Sequence, residues 1–202
     1  MFFGIYNEKN ERDYSDAEIL LHVVEQLAVT AEELRKENYQ KVIASLPYLF
    51  VWLLGFCNRM NICLEEAVWS KYPGICPYCG AEKNCVCIST DTKPKEWIKN
   101  PNGVMPKNIT EWQVMFFDIY GRINKMIGVE KTFYHFIEEL GESSKEFRLK
   151  ENKKLREELA DSFAWFIAVC NNLKIDFEDE LLKAYPGVCS HCREEKCRCS
   201  KN

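Results

Sequence analysis

Residues 155–173 have the sequence LREELADSFAWFIAVCNNL, and this stretch decides the fold. No charged residue occurs from Ser162 to Asn171, and apolar side chains there surround nearly the whole circumference of a helix. A helix that is apolar on all sides is buried inside a protein. A carboxylate at the edge of such a segment needs a partner, so Asp161 is the first candidate for a functional residue.

Much of the surrounding sequence occurs twice. A shift of 113 residues places Trp52 on Trp165, and it carries the segment 72–74 (YPG) onto 185–187 (YPG). We predict a first repeat at residues 1–87, a linker at 88–108 and a second repeat at 109–202. Duplication of this kind favours two similar lobes about a pseudo-two-fold axis, a pseudo-dimer within one chain that either stands alone or pairs again.

The pattern of the second repeat is helical. It predicts helices at about residues 111–123, 131–149 and 155–173, followed by a short fourth helix that starts near Asp176. The first repeat follows the same plan, and alternating strand patterns are nearly absent. We therefore predict an all-α protein in which helical hairpins form a bundle.

Composition and charge restrict the class of partner. Apolar residues make up 47% of the chain and charged residues 29%, which excludes intrinsic disorder. Lys and Arg number 27 against 31 Asp and Glu, a balance that argues against nucleic acid or an anionic membrane as partner. The apolar run 42–57 is too short to span a membrane, so we expect a buried core helix there. The partner should be a small molecule.

The eleven cysteines point to zinc. The first residues do not resemble an export signal, so we expect a reducing cytoplasm, in which clustered cysteines are metal ligands more often than disulfides. Each repeat ends in the pattern C-x2-C followed by C-x-C, which can close a tetrahedral Zn²⁺ site with no open position. We predict two structural zinc knuckles per chain, formed by Cys76, Cys79, Cys85 and Cys87 and by Cys189, Cys192, Cys197 and Cys199. A redox or disulfide pair is the alternative.

The second repeat also carries four acids at helical spacing. Glu139 and Glu142 lie three residues apart on one predicted helix, and Glu158 and Asp161 do so on the next. If these helices pack antiparallel, the carboxylates converge, and such a group suits Mg²⁺ or Mn²⁺. The alternative is that these acids are solvated surface residues. This alternative is stronger for Glu142, because that residue points away from the apolar stripe.

These acids carry a resemblance to a known family. The stretches 136–142 (FIEELGE), 157–161 (EELAD) and 173–178 (LKIDFE) resemble the motif helices and helix turn of the MazG-like all-α nucleoside triphosphate pyrophosphohydrolases. The resemblance covers about residues 111–183, and the first repeat only through the duplication. It implies a tandem MazG-like fold and Mg²⁺-dependent hydrolysis of a nucleoside triphosphate to a monophosphate and pyrophosphate. Glu139, Glu142, Glu158 and Asp161 would then be both the Mg²⁺ ligands and the catalytic residues.

The two repeats differ at these four positions. The first repeat has Gln26, Val29, Ser45 and Tyr48 there, none of which replaces a carboxylate as a charged ligand. We therefore expect one active site per chain, in the second repeat.

Several other side chains are candidates for the site. The aromatic residues Tyr48, Trp52 and Trp165 could contact a base, although core packing is their alternative role. His135 could approach the metal, and Lys183 matches the family's phosphate-binding lysine on the fourth helix. The competing hypothesis for the whole chain is a zinc-stabilised helical module that binds or senses nucleotides without hydrolysis.

Overall fold

The computed structural model describes residues 3–87 and 96–200, and these residues form α-helices and loops without a strand. This confirms the all-α prediction. Residues 88–95, the first part of the predicted linker, lie outside the described residues. The helices are α1 (Phe3–Asp13), α2 (Asp16–Arg35), α3 (Tyr39–Arg59), α4 (Leu64–Lys71), α5 (Ile109–Leu149), α6 (Asn152–Leu173) and α7 (Phe177–Ala184).

The buried helix predicted at residues 155–173 is α6. Half of its residues are buried, and they include Asp161 and Ser162 among the apolar side chains. The two helices predicted before it are joined in α5, which is interrupted at Gly128 with φ 83° and ψ 172°. Only glycine adopts this backbone conformation without strain, so Gly128 separates the two straight parts of α5.

The apolar segment of the first repeat forms the core helix α3. Its buried residues include Leu46, Leu49, Leu53 and Phe56, each fully shielded from solvent. By length and composition alone α3 could also cross a membrane, a test that core helices pass as well.

The chain forms two compact units that do not follow the order of the repeats. The first unit comprises residues 3–63 and 177–200, with α1, α2, α3, α7 and the second cysteine cluster. The second unit comprises residues 64–176, with α4, the first cysteine cluster, α5 and α6. Each unit therefore combines the long helices of one repeat with the fourth helix and cysteine cluster of the other.

Aromatic contacts hold each fourth helix in its unit. In the first unit, α7 packs on α3 with the rings of Phe177 and Phe50 5.1 Å apart between centroids. In the second unit α4 packs on α6, and Tyr72, just after α4, lies 5.4 Å from the ring of Phe116 on α5. Burial of one such ring contributes roughly 1.5–3 kcal/mol, so these contacts bind the exchanged helices firmly.

Candidate metal centres

The four sulfurs of the first cysteine cluster lie close together. The Sγ atom of Cys85 is 3.4 Å from that of Cys76 and 3.6 Å from that of Cys79, and Cys87 belongs to the same group. In a tetrahedral site with Zn–S bonds of about 2.3 Å, neighbouring sulfurs are about 3.8 Å apart. Sulfurs joined in a disulfide are about 2.05 Å apart. The cluster therefore has the spacing of a zinc site, and its cysteines are free.

The second cluster has the same spacing. The Sγ atom of Cys189 lies 3.4 Å from that of Cys197 and 4.0 Å from that of Cys199, with Cys192 in the same group. Burial opposes ionisation of Cys189, but hydrogen bonds donated by the backbone amides of Cys192 and His191 lower its pKa to about 6. A thiol that ionises this readily is ready to bind a metal as thiolate. Both clusters could therefore bind structural zinc.

The backbone of the two knuckles is equivalent despite a difference in sequence. Gly80 has φ 73° and donates its amide to the carbonyl of Cys76 at 2.9 Å. Arg193 stands in its place in the second cluster, has φ 61° and donates to Cys189 at the same distance. The two turns have the same geometry, because the backbone of Arg193 takes the left-handed conformation that glycine takes more easily.

Backbone hydrogen bonds tie each knuckle to a helix of its unit. The amide of Cys85 donates to the carbonyl of Ile119 on α5 at 2.7 Å, and the amide of Cys197 donates to Ile5 on α1 at 2.7 Å. Shifts of 112 and 114 residues, each one residue from the main register, pair Cys85 with Cys197 and Ile5 with Ile119. Zinc in each cluster would thus fix the end of a short fourth helix against a helix of the other repeat.

Three of the four predicted acids converge in the second unit. Glu139 on α5 and Glu158 and Asp161 on α6 each offer a carboxylate oxygen, and these oxygens lie within 4.8 Å of one another. We call them the acidic group. Glu139 and Glu158 are half-buried and Asp161 is buried. Glu142, one turn further along α5, is exposed and lies outside this group.

Two side chains that the sequence did not indicate contact Asp161. The Nζ atom of Lys71, at the end of α4, binds Oδ2 of Asp161, and the hydroxyl of Tyr72 donates to Oδ1 at 2.7 Å. Lys71 is only 5% exposed, and lysine is seldom buried without a charged partner. Asp161 therefore has the partner that its buried position requires, and both of its oxygens are engaged.

Electrostatic repulsion is concentrated on Glu139. Burial raises the pKa of its carboxyl, and the neighbouring charges of Asp161, Glu158 and Glu142 raise it further, to about 8, against a smaller opposing effect of Lys71. A cation among these oxygens would relieve the repulsion. Three hard oxygen donors with partial solvent access fit Mg²⁺ or Mn²⁺, which hold water and phosphate oxygens in their remaining positions. The acidic group is therefore chemically suited to the ion that the resemblance implies.

The corresponding positions of the first repeat hold no acids. Ser45 is buried and its hydroxyl lies 2.9 Å from that of Thr30, while Tyr48 packs on Tyr185 with ring centroids 5.7 Å apart. The pair of Tyr48 and Tyr185 occupies the register of Asp161 and Tyr72. Among its described residues, the first unit has no acidic group of three carboxylates.

The other predicted site residues have different partners. His135 stacks on Trp165 at 4.3 Å between ring centroids, and its Nδ1 lies 2.8 Å from Glu138. His22 and Trp52 form the same stack in the first unit at 4.2 Å. Since the stack also occurs in the unit without acids, it is explained by packing of the helices.

Lys183 does not belong to the acidic group. Its side chain is 69% exposed in the first unit and binds Glu180 at 2.7 Å. The lysine at the acids is Lys71, which directly precedes the Tyr-Pro-Gly segment of the first repeat. Sequence comparison missed it because the repeat register places Lys71 on Ala184, and because each fourth helix was expected within its own repeat.

Three comparisons with known proteins complete this description. No family model matches the chain, and no curated protein or solved structure matches it either.

Proposed function

We propose that the chain is a Mg²⁺-dependent nucleoside triphosphate pyrophosphohydrolase with one active site, in the second unit. The observation that carries this proposal is the acidic group itself, three carboxylates from two packed helices with a buried lysine among them. Carboxylates this close repel one another, and a divalent cation between them would relieve the repulsion. The motif resemblance supplies the reaction, cleavage between the α and β phosphates.

In this proposal, Glu139, Glu158 and Asp161 would hold Mg²⁺. The bound ion would neutralise the triphosphate and lower the pKa of a coordinated water. In the reaction that the resemblance implies, the water oxygen would bond to the α phosphorus as the bond to the bridging oxygen breaks, and pyrophosphate would leave. Glu139 or Glu158 takes up the proton of the water. Glu142 would act from the exposed rim of the site, where its charge already affects Glu139.

The role of Tyr72 is to hold Asp161 in place. Its hydroxyl fixes one carboxylate oxygen at 2.7 Å, and its ring packs on Phe116. A ligand held by a packed neighbour keeps its orientation when the ion binds. The first repeat would therefore contribute to the site of the second through its fourth helix.

The duplication supports the same proposal. Equivalent residues make equivalent contacts in the two units, as Cys85 with Ile119 and Cys197 with Ile5 show. We propose two MazG-like repeats in a pseudo-two-fold bundle, located in the cytoplasm, where free cysteines persist. The first unit would have lost its acids and kept a structural role.

The test is identification of the products. Purified zinc-loaded chain is incubated with Mg²⁺ and a panel of canonical and modified nucleoside triphosphates, and the products are separated by ion exchange. We expect monophosphate and pyrophosphate in equal amounts. Glu139→Gln, which installs the residue that the first repeat has at Gln26, should abolish the reaction, whereas Glu138→Gln, at an exposed neighbour, should leave it intact. Diphosphate and free phosphate as products would contradict the proposal.

One observation favours the competing hypothesis of a binding module without hydrolysis. Lys71 and Tyr72 engage both oxygens of Asp161, and Glu142 lies outside the acidic group. A site arranged in this way could bind Mg²⁺-nucleotide and release it unchanged. If wild type and Glu158→Gln bind nucleotide equally and neither releases pyrophosphate, this second function is the correct one.

A further inference from the structure

Lys71 brings a positive charge to the acidic group, as a bound metal ion would. Its ammonium group binds Oδ2 of Asp161, and the carboxylates of Asp161, Glu139 and Glu158 offer oxygens within 4.8 Å of one another. A lysine ammonium and a divalent cation are both stabilised by the same carboxylate oxygens and repel each other at short distance. Because Tyr72 binds Oδ1 and Lys71 binds Oδ2, a divalent cation would compete with Lys71 for Asp161.

We propose that Lys71 is an exchangeable counter-cation of the acidic group, which leaves Asp161 when a divalent cation binds there. This inference rests on the proposed metal site and adds a residue that controls it. While Lys71 is in place, it neutralises the buried carboxylate of Asp161. When it leaves, it carries a positive charge beside the site at the moment when a triphosphate would be bound.

The ammonium group of Lys71 contacts an aromatic ring while it binds Asp161. The ring centroid of Trp97 lies 4.9 Å from Nζ, within the range of a cation–π contact. The flexible four-carbon stem of lysine allows Nζ to move by several ångströms while the backbone stays fixed. The backbone itself is held by Tyr72 and by the first cysteine cluster that follows. Exchange therefore needs a change of side-chain rotamer and no movement of α4.

The second repeat provides a matched control. Lys183 also lies near the end of a short fourth helix, shortly before Tyr-Pro-Gly and a cysteine cluster, but it is exposed and binds Glu180. Lys183→Met and Lys71→Met remove the same charge from the chain. Lys71 is buried at the acidic group, whereas Lys183 is exposed away from it.

The experiment measures the dissociation constant of Mn²⁺ for zinc-loaded full chain by electron paramagnetic resonance. Removing the competing charge should tighten Mn²⁺ binding at least about tenfold in Lys71→Met, while Lys183→Met binds as wild type. Equal or weaker binding by Lys71→Met would overturn the inference, because a lysine that only stabilises the fold does not compete with the ion. Failure of both wild type and Lys71→Met to bind Mn²⁺ would overturn it as well.

A second measurement uses the unmodified protein, in case Lys71→Met does not fold. Brief acetylation with acetic anhydride, followed by mass spectrometry of peptides, reports how accessible each lysine is. Lys71 should react slowly without Mn²⁺ and at least about threefold faster with saturating Mn²⁺, because it is released from Asp161. Lys183 should react equally in both states. If Mn²⁺ leaves the acetylation rate of Lys71 unchanged or lowers it, the proposed release of Lys71 from Asp161 is wrong.

These results separate the inference from the proposed function. If Mn²⁺ releases Lys71 but no triphosphate is hydrolysed, the exchange stands and the enzyme proposal fails. If the chain hydrolyses triphosphates while Lys71→Met binds Mn²⁺ no tighter than wild type, the enzyme proposal stands and the exchange fails.

Discussion

Removing the hydrogen bond from Tyr72 to Asp161 tests whether each fourth helix packs on the long helices of the other repeat. Tyr72→Phe removes only the hydroxyl, which donates to Oδ1 at 2.7 Å, and leaves the ring packed against Phe116. Hydrogen bonds to a buried charged acceptor contribute about 1.5–3 kcal/mol. For a chain of this size, each kcal/mol corresponds to about 2–4 °C in Tm, so we expect a fall of about 3–12 °C.

The matched variant is Tyr185→Phe. Tyr185 is the repeat equivalent of Tyr72, but it faces Tyr48 instead of a carboxylate. Tm is measured by scanning calorimetry on zinc-loaded protein, for each tyrosine variant alone and combined with Asp161→Asn. The cost of Tyr72→Phe should fall by more than half in the Asp161→Asn background, and the cost of Tyr185→Phe should not change there.

The opposite pattern of coupling would refute the exchange of the fourth helices between the repeats. If the fourth helix of the second repeat packed on its own long helices, Tyr185 would be the neighbour of Asp161. Coupling of Asp161 with Tyr185, and none with Tyr72, would then be measured.

Three further predictions concern the metals and the number of sites. Elemental analysis should find two zinc ions per chain and about one in Cys85→Ser; fewer than about two in wild type would reject paired zinc sites. Without divalent cations at pH 7, Glu139→Gln should raise the free energy of unfolding by about 1–2 kcal/mol, allowing for screening. The reason is that the folded state raises the pKa of Glu139, so ionisation of this carboxyl destabilises the fold above about pH 4.5. An unchanged or lower Tm would contradict this prediction. Glu25→Gln, in the first repeat, should leave hydrolysis unchanged, and a loss of activity there would contradict a single site.

The local features of the fold could be predicted from the sequence. The uncharged segment 162–171 predicted α6, because a helix without a polar face can only be buried. The spacing of Cys76, Cys79, Cys85 and Cys87 predicted a cluster, because so few residues separate the thiols that they stay near each other in any compact loop. Both predictions depend on neighbours in sequence, which the chain itself keeps together.

The exchange of the fourth helices could not be predicted in this way. Tyr72 and Tyr185 lie in equivalent Tyr-Pro-Gly segments of the two repeats, so either one offers the long helices of either repeat the same ring. What distinguishes the two arrangements is the buried pair of Lys71 and Asp161, which is 90 residues apart in sequence. Sequence periodicity does not predict a contact between residues so far apart. The repeat does not indicate Lys71 either, because the equivalent residue is Ala184.

The position of Glu142 shows a similar limit. Spacing of three residues places Glu139 and Glu142 on neighbouring parts of α5, but the angular offset of about 60° between them decides which one faces α6. Glu139 is half-buried in the acidic group and Glu142 is exposed. The apolar stripe of the helix was the better guide, since Glu142 points away from it.

The most direct test of the proposed function is the rate of pyrophosphate release by zinc-loaded chain, with Mg²⁺ and nucleoside triphosphates, beside the Glu158→Gln variant. We predict Mg²⁺-dependent release by wild type and a rate lower by at least about a hundredfold in Glu158→Gln, because that change removes a charged ligand from the acidic group. Absence of pyrophosphate with every triphosphate, or an equal rate in the variant, would contradict a metal-dependent pyrophosphohydrolase at this site.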